Sequence, residues 1–237
     1  SSVDWTTASS EWTDFDDKYE LFFDTTSVSP LSGQTQNITG LHGNVTYYFR
    51  LWTRDEDTGA NSPGNWSLVS NASTVTVTAV LGISIFPGTY DYGSIDVSSA
   101  VVNGTTITVT NLGNITETYS LESSSAVNAG GGTGWTINPA NPETPGSNIF
   151  SLSAGFYGVR PSTDSFNTEV SEKEDALLET TLTCTTTDFS IAGAQTQTGA
   201  NVPKSSPRNI WFLLKTPTET STRNEKTITV TITAGTP

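Results

Sequence analysis

The chain has 237 residues, with 24 Asp and Glu against 10 Lys and Arg, and its formal net charge is −14. This charge disfavours nucleic acid and anionic membrane surfaces as partners, because both need a cationic protein surface, and we predict no nucleic-acid partner. No apolar run approaches the roughly 20 residues of a membrane-spanning helix, so we also predict no membrane insertion.

The composition predicts an all-β fold. Charged residues make up only 14 % of the chain, and 20 Gly and 11 Pro interrupt it frequently. Ser and Thr take the place of charged side chains, and β-branched Thr favours strands. The length fits two β-sandwich domains, which we predict to span residues 1–80 and 81–237.

Five short segments of the first domain have the composition and alternation of strands. In one of them Tyr47, Phe49 and Leu51 share one face. Tyr48, Arg50 and Trp52 lie on the opposite face. The five segments are Ser1–Thr7, Lys18–Asp24, Thr35–Leu41, Thr46–Arg54 and Ser73–Ala79.

Two motifs in the first domain carry a family resemblance: Ile38-Thr39-Gly40-Leu41, followed by Tyr47-Tyr48-Phe49-Arg50. With Trp5 near the start and Trp66 before the last strand, they resemble a fibronectin type III domain that begins at its second strand. The resemblance implies a spacer or binding module whose first strand is missing. The edge beside Val3 and Trp5 would then be unpaired and able to accept a strand from this chain or another.

The second domain begins with a predicted strand at Gly82–Pro87 and closes with strands at Asn209–Lys215 and Lys226–Thr233. In the last strand Ile and Val alternate with Thr, which predicts one apolar and one polar face. Within Ala100–Asn111, the pair Asn103-Gly104 stands between alternating residues and predicts a two-residue β-hairpin.

The segments Tyr90-Asp91-Tyr92-Gly93 and Thr105–Asn114 resemble bacterial immunoglobulin-like surface domains, which implies an immunoglobulin-like β-sandwich. Residues 123–207 are more than a minimal sandwich needs. We predict that long loops elaborate the domain there, with strands at Ile149–Val159 and Leu177–Thr186. The order of the strands in the sheets does not follow from the sequence.

The residues offer no recognisable catalytic group. His42 is the only histidine and lies in a predicted turn, while Cys184 alternates with Leu182 on an apolar face. A serine or cysteine nucleophile needs a histidine beside it, and glycoside hydrolysis needs two carboxylates facing each other across a cleft. We predict that the chain is not an enzyme. A metal-dependent hydrolase is the alternative that converging carboxylates would favour.

Two acidic clusters are candidate calcium sites, and no other cofactor is predicted. Asp55 and Asp57 follow a predicted strand, and Asp14 and Asp16 lie in the loop after Trp5. Calcium takes six to eight oxygen ligands, which loops can supply. Neither cluster has the ligand spacing of an EF-hand, so solvated acidic loops are the simpler interpretation.

Exposed polar and aromatic residues add two further sets of candidates. Asn-x-Ser/Thr sequons are candidate glycosylation sites, although the abundance of Ser and Thr produces such sequons by chance. They lie at Asn37, Asn44, Asn65, Asn71, Asn103 and Asn114. Aromatic residues exceed what one small core can bury and are candidates for a sugar-binding or protein-binding surface. The tryptophans in this set are Trp12, Trp52 and Trp66.

The chain has no Met, even at position 1, which indicates that Ser1 was created by cleavage of a signal peptide or that the sequence is a fragment. We therefore expect an extracellular or cell-surface protein. The function we expect is that of a non-enzymatic structural subunit of a filament, sheath or surface layer, pairing with itself or with other surface proteins through β-strand donation. The alternative is a carbohydrate-binding or adhesion module of a larger secreted protein, with glycans as partners.

Overall fold

A computed structural model describes residues 37–51, 68, 73–132, 134–138, 144–167 and 175–237. In this part of the chain the regular structure is almost entirely β, since the strands are accompanied by one short 3-10 helix, Thr163–Asn167. The expected all-β class is confirmed. The chain divides into two compact units, Ser1–Ala79 and Val80–Pro237.

In the first unit, β1 (Thr46–Phe49) pairs antiparallel with β2 (Ser73–Thr76). The strands are shorter than predicted, but the predicted alternation holds, because Tyr47 and Phe49 are half-buried while Tyr48 is exposed. Residues 37–41, predicted as the end of a strand, contain no strand. The segments Ser1–Thr7 and Lys18–Asp24 lie outside the described residues.

The strands of the second unit form two main sheets. In chain order they are β3 (Ile83–Phe86), β4 (Ala100–Val102), β5 (Ile107–Asn111), β6 (Thr118–Ser123), β7 (Val127–Asn128), β8 (Thr136–Ile137), β9 (Ile149–Phe156), β10 (Leu182–Thr183), β11 (Pro207–Lys215), β12 (Lys226–Thr227) and β13 (Val230–Gly235). The large sheet has the order β3-β5-β11-β9-β8, with β4 also paired to β11. The small sheet has the order β10-β6-β13, and β7 pairs with β12 in a separate ribbon.

The main core lies between these two sheets, which makes the second unit a β-sandwich. Alternate residues of β11 show how the sequence builds it: Ile210, Phe212 and Leu214 point into the main core. Trp211 and Leu213 point to the opposite face, where a second apolar cluster covers the large sheet. This strand is buried on both faces, which explains its nearly continuous apolar run.

The predicted hairpin at Asn103-Gly104 is wrong. β4 and β5 continue in the same direction along β11, because Val102 pairs with Leu213 and Ile107 pairs with Ile210. The residues between them form a bulge rather than a reversal. Asn103 is fully buried there, and its side-chain oxygen accepts a hydrogen bond from the main-chain N–H of Phe212 (2.7 Å).

The outer edge of β9 is covered in succession by three segments from the elaborated part of the chain. β8 pairs with its start, Ala176 bridges to Ser153 in its middle, and Ser190 bridges to Phe156 at its end. Most of the predicted strand Leu177–Thr186 is irregular, because this segment crosses from the edge of β9 to the edge of β6.

A glycine lets this cover pack tightly. Gly155 lies on the face of β9 that points away from the main core, and a Cβ there would lie 2.5 Å from Cγ1 of Ile191. Ile191 is buried in the second apolar cluster, together with Phe166 of the 3-10 helix. The sandwich is therefore closed on the side of β9. We call this the closed side.

Candidate functional site

The two residues considered as catalytic groups lie in different surroundings, a turn and the main core. The main-chain N–H of His42 donates a hydrogen bond to the hydroxyl of Tyr47 (2.9 Å) in a half-buried turn. Cys184 is buried in the main core, as predicted from its alternation with Leu182. Burial, with a smaller contribution from Asp188, raises the pKa of the Cys184 thiol to about 12. A thiolate nucleophile at this position is therefore disfavoured.

The candidate calcium ligands Asp14, Asp16, Asp55 and Asp57 lie outside the described residues. So do the strand-acceptor residues Val3 and Trp5, the surface tryptophans Trp12, Trp52 and Trp66, and the sequons at Asn65 and Asn71. Within the described ranges, no group of three or more His, Cys, Asp or Glu side chains could hold a metal ion.

The four described sequon asparagines differ in accessibility. Asn37 and Asn44 are exposed, and Asn114 is half-buried with its side-chain oxygen accepting the N–H of Val80 (2.8 Å). The candidate glycosylation site at Asn103 must be corrected. Its side chain is fully buried and donates to the carbonyl oxygen of Thr105 (2.8 Å), so a glycan cannot be attached there in the folded protein.

The acidic side chains on the outer face of the small sheet support the fold. Glu122 and Glu179 line a shallow depression beside β6. Glu179 accepts hydrogen bonds from the main-chain N–H of Ser125 (3.0 Å) and from its hydroxyl (2.5 Å). Glu122 accepts a hydrogen bond from the hydroxyl of Thr181. These bonds tie Thr181 to β6 and Glu179 to Ser125, so both carboxylates act as hydrogen-bond acceptors that hold the chain around β6.

The side of the sandwich opposite the closed side ends in two strands. β3 is the edge strand of the large sheet, and β13 is the edge strand of the small sheet. We call this the open side. β13 lies on this side because the other edge of β6 pairs with β10, which belongs to the same loops that cover the edge of β9. β3 lies on it because it is the edge of the large sheet away from β9. Each strand pairs with a neighbour on one side only, among the residues that the structure describes.

The backbone groups of β13 alternate strictly between a paired and an unpaired edge. The carbonyl oxygen of Thr229, just before the strand, accepts the N–H of Ser124 (2.9 Å), which fixes the phase of the ladder. In the antiparallel register, Thr231 and Thr233 then bond β6. The N–H and C=O groups of Val230, Ile232 and Ala234 point outward, and the described residues provide no partner for them.

The same alternation applies to β3. The N–H of Leu112 donates to the carbonyl oxygen of Gly82 (2.7 Å), so the backbone groups of Ile83 and Ile85 point away from β5. The side chain of Ile85 faces inward beside Val109, yet it is 37 % exposed. Phe86, on the outer face, is 79 % exposed. The open side thus leaves apolar side chains and backbone groups accessible together.

A buried carboxyl holds the start of β3 in place. Glu117 is fully buried at the start of β6, and its Oε1 accepts a hydrogen bond from the N–H of Gly82 (2.7 Å). Burial raises the pKa of Glu117 above its usual value, and this hydrogen bond opposes the rise. Gly113 provides the space, since a Cβ there would lie 2.5 Å from the carbonyl oxygen of Val80.

Neither edge of the open side carries a charged residue. Residues 80–90 and 227–237 contain no Asp, Glu, Lys or Arg, although the whole chain carries a net charge of −14. Natural edge strands usually avoid pairing with other chains through charges, prolines, bulges or a covering loop. The sequence does contain this signal, but recognising it as an edge requires the strand order.

No known protein family and no curated protein matches the chain. The described residues also contain no helix that is long and apolar enough to cross a membrane.

Proposed function

We propose that the chain is a non-enzymatic structural subunit of an extracellular or cell-surface assembly, such as a filament, sheath or surface layer, held together by β-strand pairing between subunits. The observation that carries the proposal is the open side, where two uncharged strand edges present unpaired backbone groups next to partly exposed apolar side chains. Such an edge is a template for another strand.

The charge distribution favours the same function. A net charge of −14 on 237 residues keeps copies of the chain apart over most of their surface. The uncharged edges are the places where this repulsion is weakest. Association through them is therefore selective, since it brings the neutral strands of two subunits together and leaves the acidic surface in solvent.

The predicted acceptor edge beside Val3 and Trp5 in the first unit would add a second contact of the same kind. It lies outside the described residues and stays a prediction. Two different contacts per subunit build an open chain of subunits where their geometry does not close into a ring.

The experiment that tests the proposal is to measure the mass of the full chain over a concentration series and to image it by electron microscopy. We expect species larger than 25.2 kDa that become regular assemblies as the concentration rises. A protein that stays monomeric up to its solubility limit contradicts the proposal. Specific binding on a glycan array by such a monomer would favour the carbohydrate-binding alternative.

A further inference from the structure

We propose that β13 pairs antiparallel with β13 of a second copy of this chain, about a two-fold axis through Ile232, so that two small sheets join into one continuous sheet. This inference rests on the proposed function and names one of its contacts. It concerns the edge formed by Val230, Ile232 and Ala234, which we call the β13 edge.

The register follows from the direction of the backbone groups. Only Val230, Ile232 and Ala234 present their N–H and C=O groups outward. With the axis at Ile232, each Val230 meets an Ala234 and the two Ile232 residues meet each other, so every outward group has a partner. A shift of the axis to Thr231 or Thr233 leaves the outward groups of one end residue unpaired within the strand.

The side chains are complementary in this register. On the core face, the large Ile232 meets itself, and Val230 meets the small Ala234, so no two bulky side chains crowd the ends. On the outer face, Thr231 of one copy lies opposite Thr233 of the other, in the pair whose side chains approach most closely. Both threonines are exposed, and cross-strand Thr–Thr pairs stabilise sheets.

The chemistry of the β13 edge favours a second copy of the chain over a charged partner. Lys226, the basic residue nearest to the β13 edge along the sequence, makes its hydrogen bonds elsewhere: its Nζ donates to the carbonyl oxygen of Asn224 (2.7 Å) and to the hydroxyl of Thr222 (3.0 Å). Glu122, which pairs with Thr231 inside the sheet, accepts its hydrogen bond from Thr181 on the far side. An uncharged β-branched strand is therefore the best match, and every copy supplies one.

β3 is the weaker candidate for this contact. It has four residues against six in β13, and only Ile83 and Ile85 present backbone groups outward. Pro87 follows it directly and provides no N–H donor that could extend the pairing.

The test uses the full chain and two double variants at the exposed outer-face positions. T231K/T233K places lysines opposite each other at both symmetry-related contacts, whereas T231K/T233E places a lysine opposite a glutamate. We expect the wild type to associate in multiples of two copies of 25.2 kDa. We expect T231K/T233K to weaken that association by about tenfold or more, because like charges directly opposite each other repel. T231K/T233E should retain it.

Thr183→Lys is the matched control. Thr183 is an exposed threonine on the same face of the small sheet, but it belongs to β10 at the opposite edge. Its substitution adds one lysine, against two in T231K/T233K, on the same face of the sheet and should leave the mass of the associated species unchanged. Circular dichroism and thermal unfolding of each variant show whether it is folded before its mass is interpreted.

Each outcome is decisive. A monomeric wild type, or equal association of the wild type and both double variants, overturns the inference. Loss of association in T231K/T233E as well as in T231K/T233K overturns the register, since an axis at Thr231 or at Thr233 would place like charges opposite each other in both variants. Regular polymers that persist unchanged in T231K/T233K would overturn the β13 contact but leave the proposed function standing. A variant-sensitive dimer that never polymerises would support the contact and contradict the larger assembly.

Discussion

The two sides of the sandwich in the second unit are built in opposite ways. On the closed side, three segments cover the outer edge of β9, and buried side chains such as Phe189 and Ile191 seal them to the sheets. On the open side, the outer edges of β3 and β13 pair with no other strand among the described residues, and Ile85 faces inward while partly exposed.

The difference arises from the long loops that elaborate the domain, because they lie on the closed side. The loops that follow β9 cross from one sheet to the other and supply backbone partners for both β9 and β6. For example, the N–H of Ser123 donates to the carbonyl oxygen of Leu178 (2.8 Å), while the N–H of Leu177 donates to that of Leu152 (2.9 Å). In the part of the chain that the structure describes, no segment pairs with the outer edges of β3 and β13 in this way. We infer that another subunit supplies one.

The largest expected effect comes from breaking the closed side. Phe189→Ala removes a fully buried ring from the main core and should lower the free energy of unfolding by about 3–5 kcal/mol. Chemical denaturation of the isolated protein measures this. Phe86→Ala on the open side is the matched control, because that ring is exposed and its loss should change the stability of the monomer by less than about 0.5 kcal/mol. Equal losses of unfolding free energy in the two variants would contradict the difference in packing between the closed and open sides.

A smaller effect comes from filling the space that Gly155 leaves for the cover of β9. Gly155→Ala places a methyl group 2.5 Å from Cγ1 of Ile191 and should cost about 1–3 kcal/mol through overpacking. Gly88→Ala is the control, since a Cβ at that position meets no atom within 4 Å. Thermal unfolding of both variants distinguishes them, and an unchanged midpoint for Gly155→Ala would show that the cover is loosely packed.

The anchor of β3 on the open side should depend on pH. Because burial raises the pKa of Glu117 in the folded protein, folding favours its protonated form. This contribution to stability is fully present below the usual carboxyl pKa and is lost as the pH rises through the raised value. Glu117→Gln keeps an oxygen that can accept the N–H of Gly82, and it should be more stable than the wild type at neutral pH.

The measurement is the unfolding midpoint of wild type and Glu117→Gln from mildly acidic to neutral pH. The advantage of the variant should grow as the pH rises, while Glu219→Gln, at an exposed carboxylate, should show no such trend. A Glu117→Gln variant that is less stable than the wild type at neutral pH would contradict the raised pKa.

Local patterns predicted the faces of the strands but not their neighbours. The alternation in Lys226–Thr233 correctly places Val230 and Ile232 toward the core, because the side-chain period of a strand is a local property. The hairpin at Asn103-Gly104 failed because the buried Asn103 bonds Phe212, more than a hundred residues later in the chain.

The open side was beyond sequence reasoning for the same physical reason. An edge is defined by the strand that is missing beside it, and the order of strands depends on contacts between distant residues. The absence of charged residues from 227–237 is evident in the sequence, but the pattern is as typical of an interior strand as of an edge strand. The carboxyl of Glu117 was likewise indistinguishable from the other acidic residues until its burial was known.

Amide hydrogen exchange along β13 at low and high protein concentration tests most directly whether β13 is an open edge that a second copy covers. Thr231 and Thr233 bond β6, so their N–H groups should be protected at both concentrations. The N–H groups of Val230, Ile232 and Ala234 should exchange rapidly in dilute solution and become protected only as the protein associates. Protection of all five at high dilution, or no change with concentration, would contradict the claim that β13 is an open edge that a second copy covers.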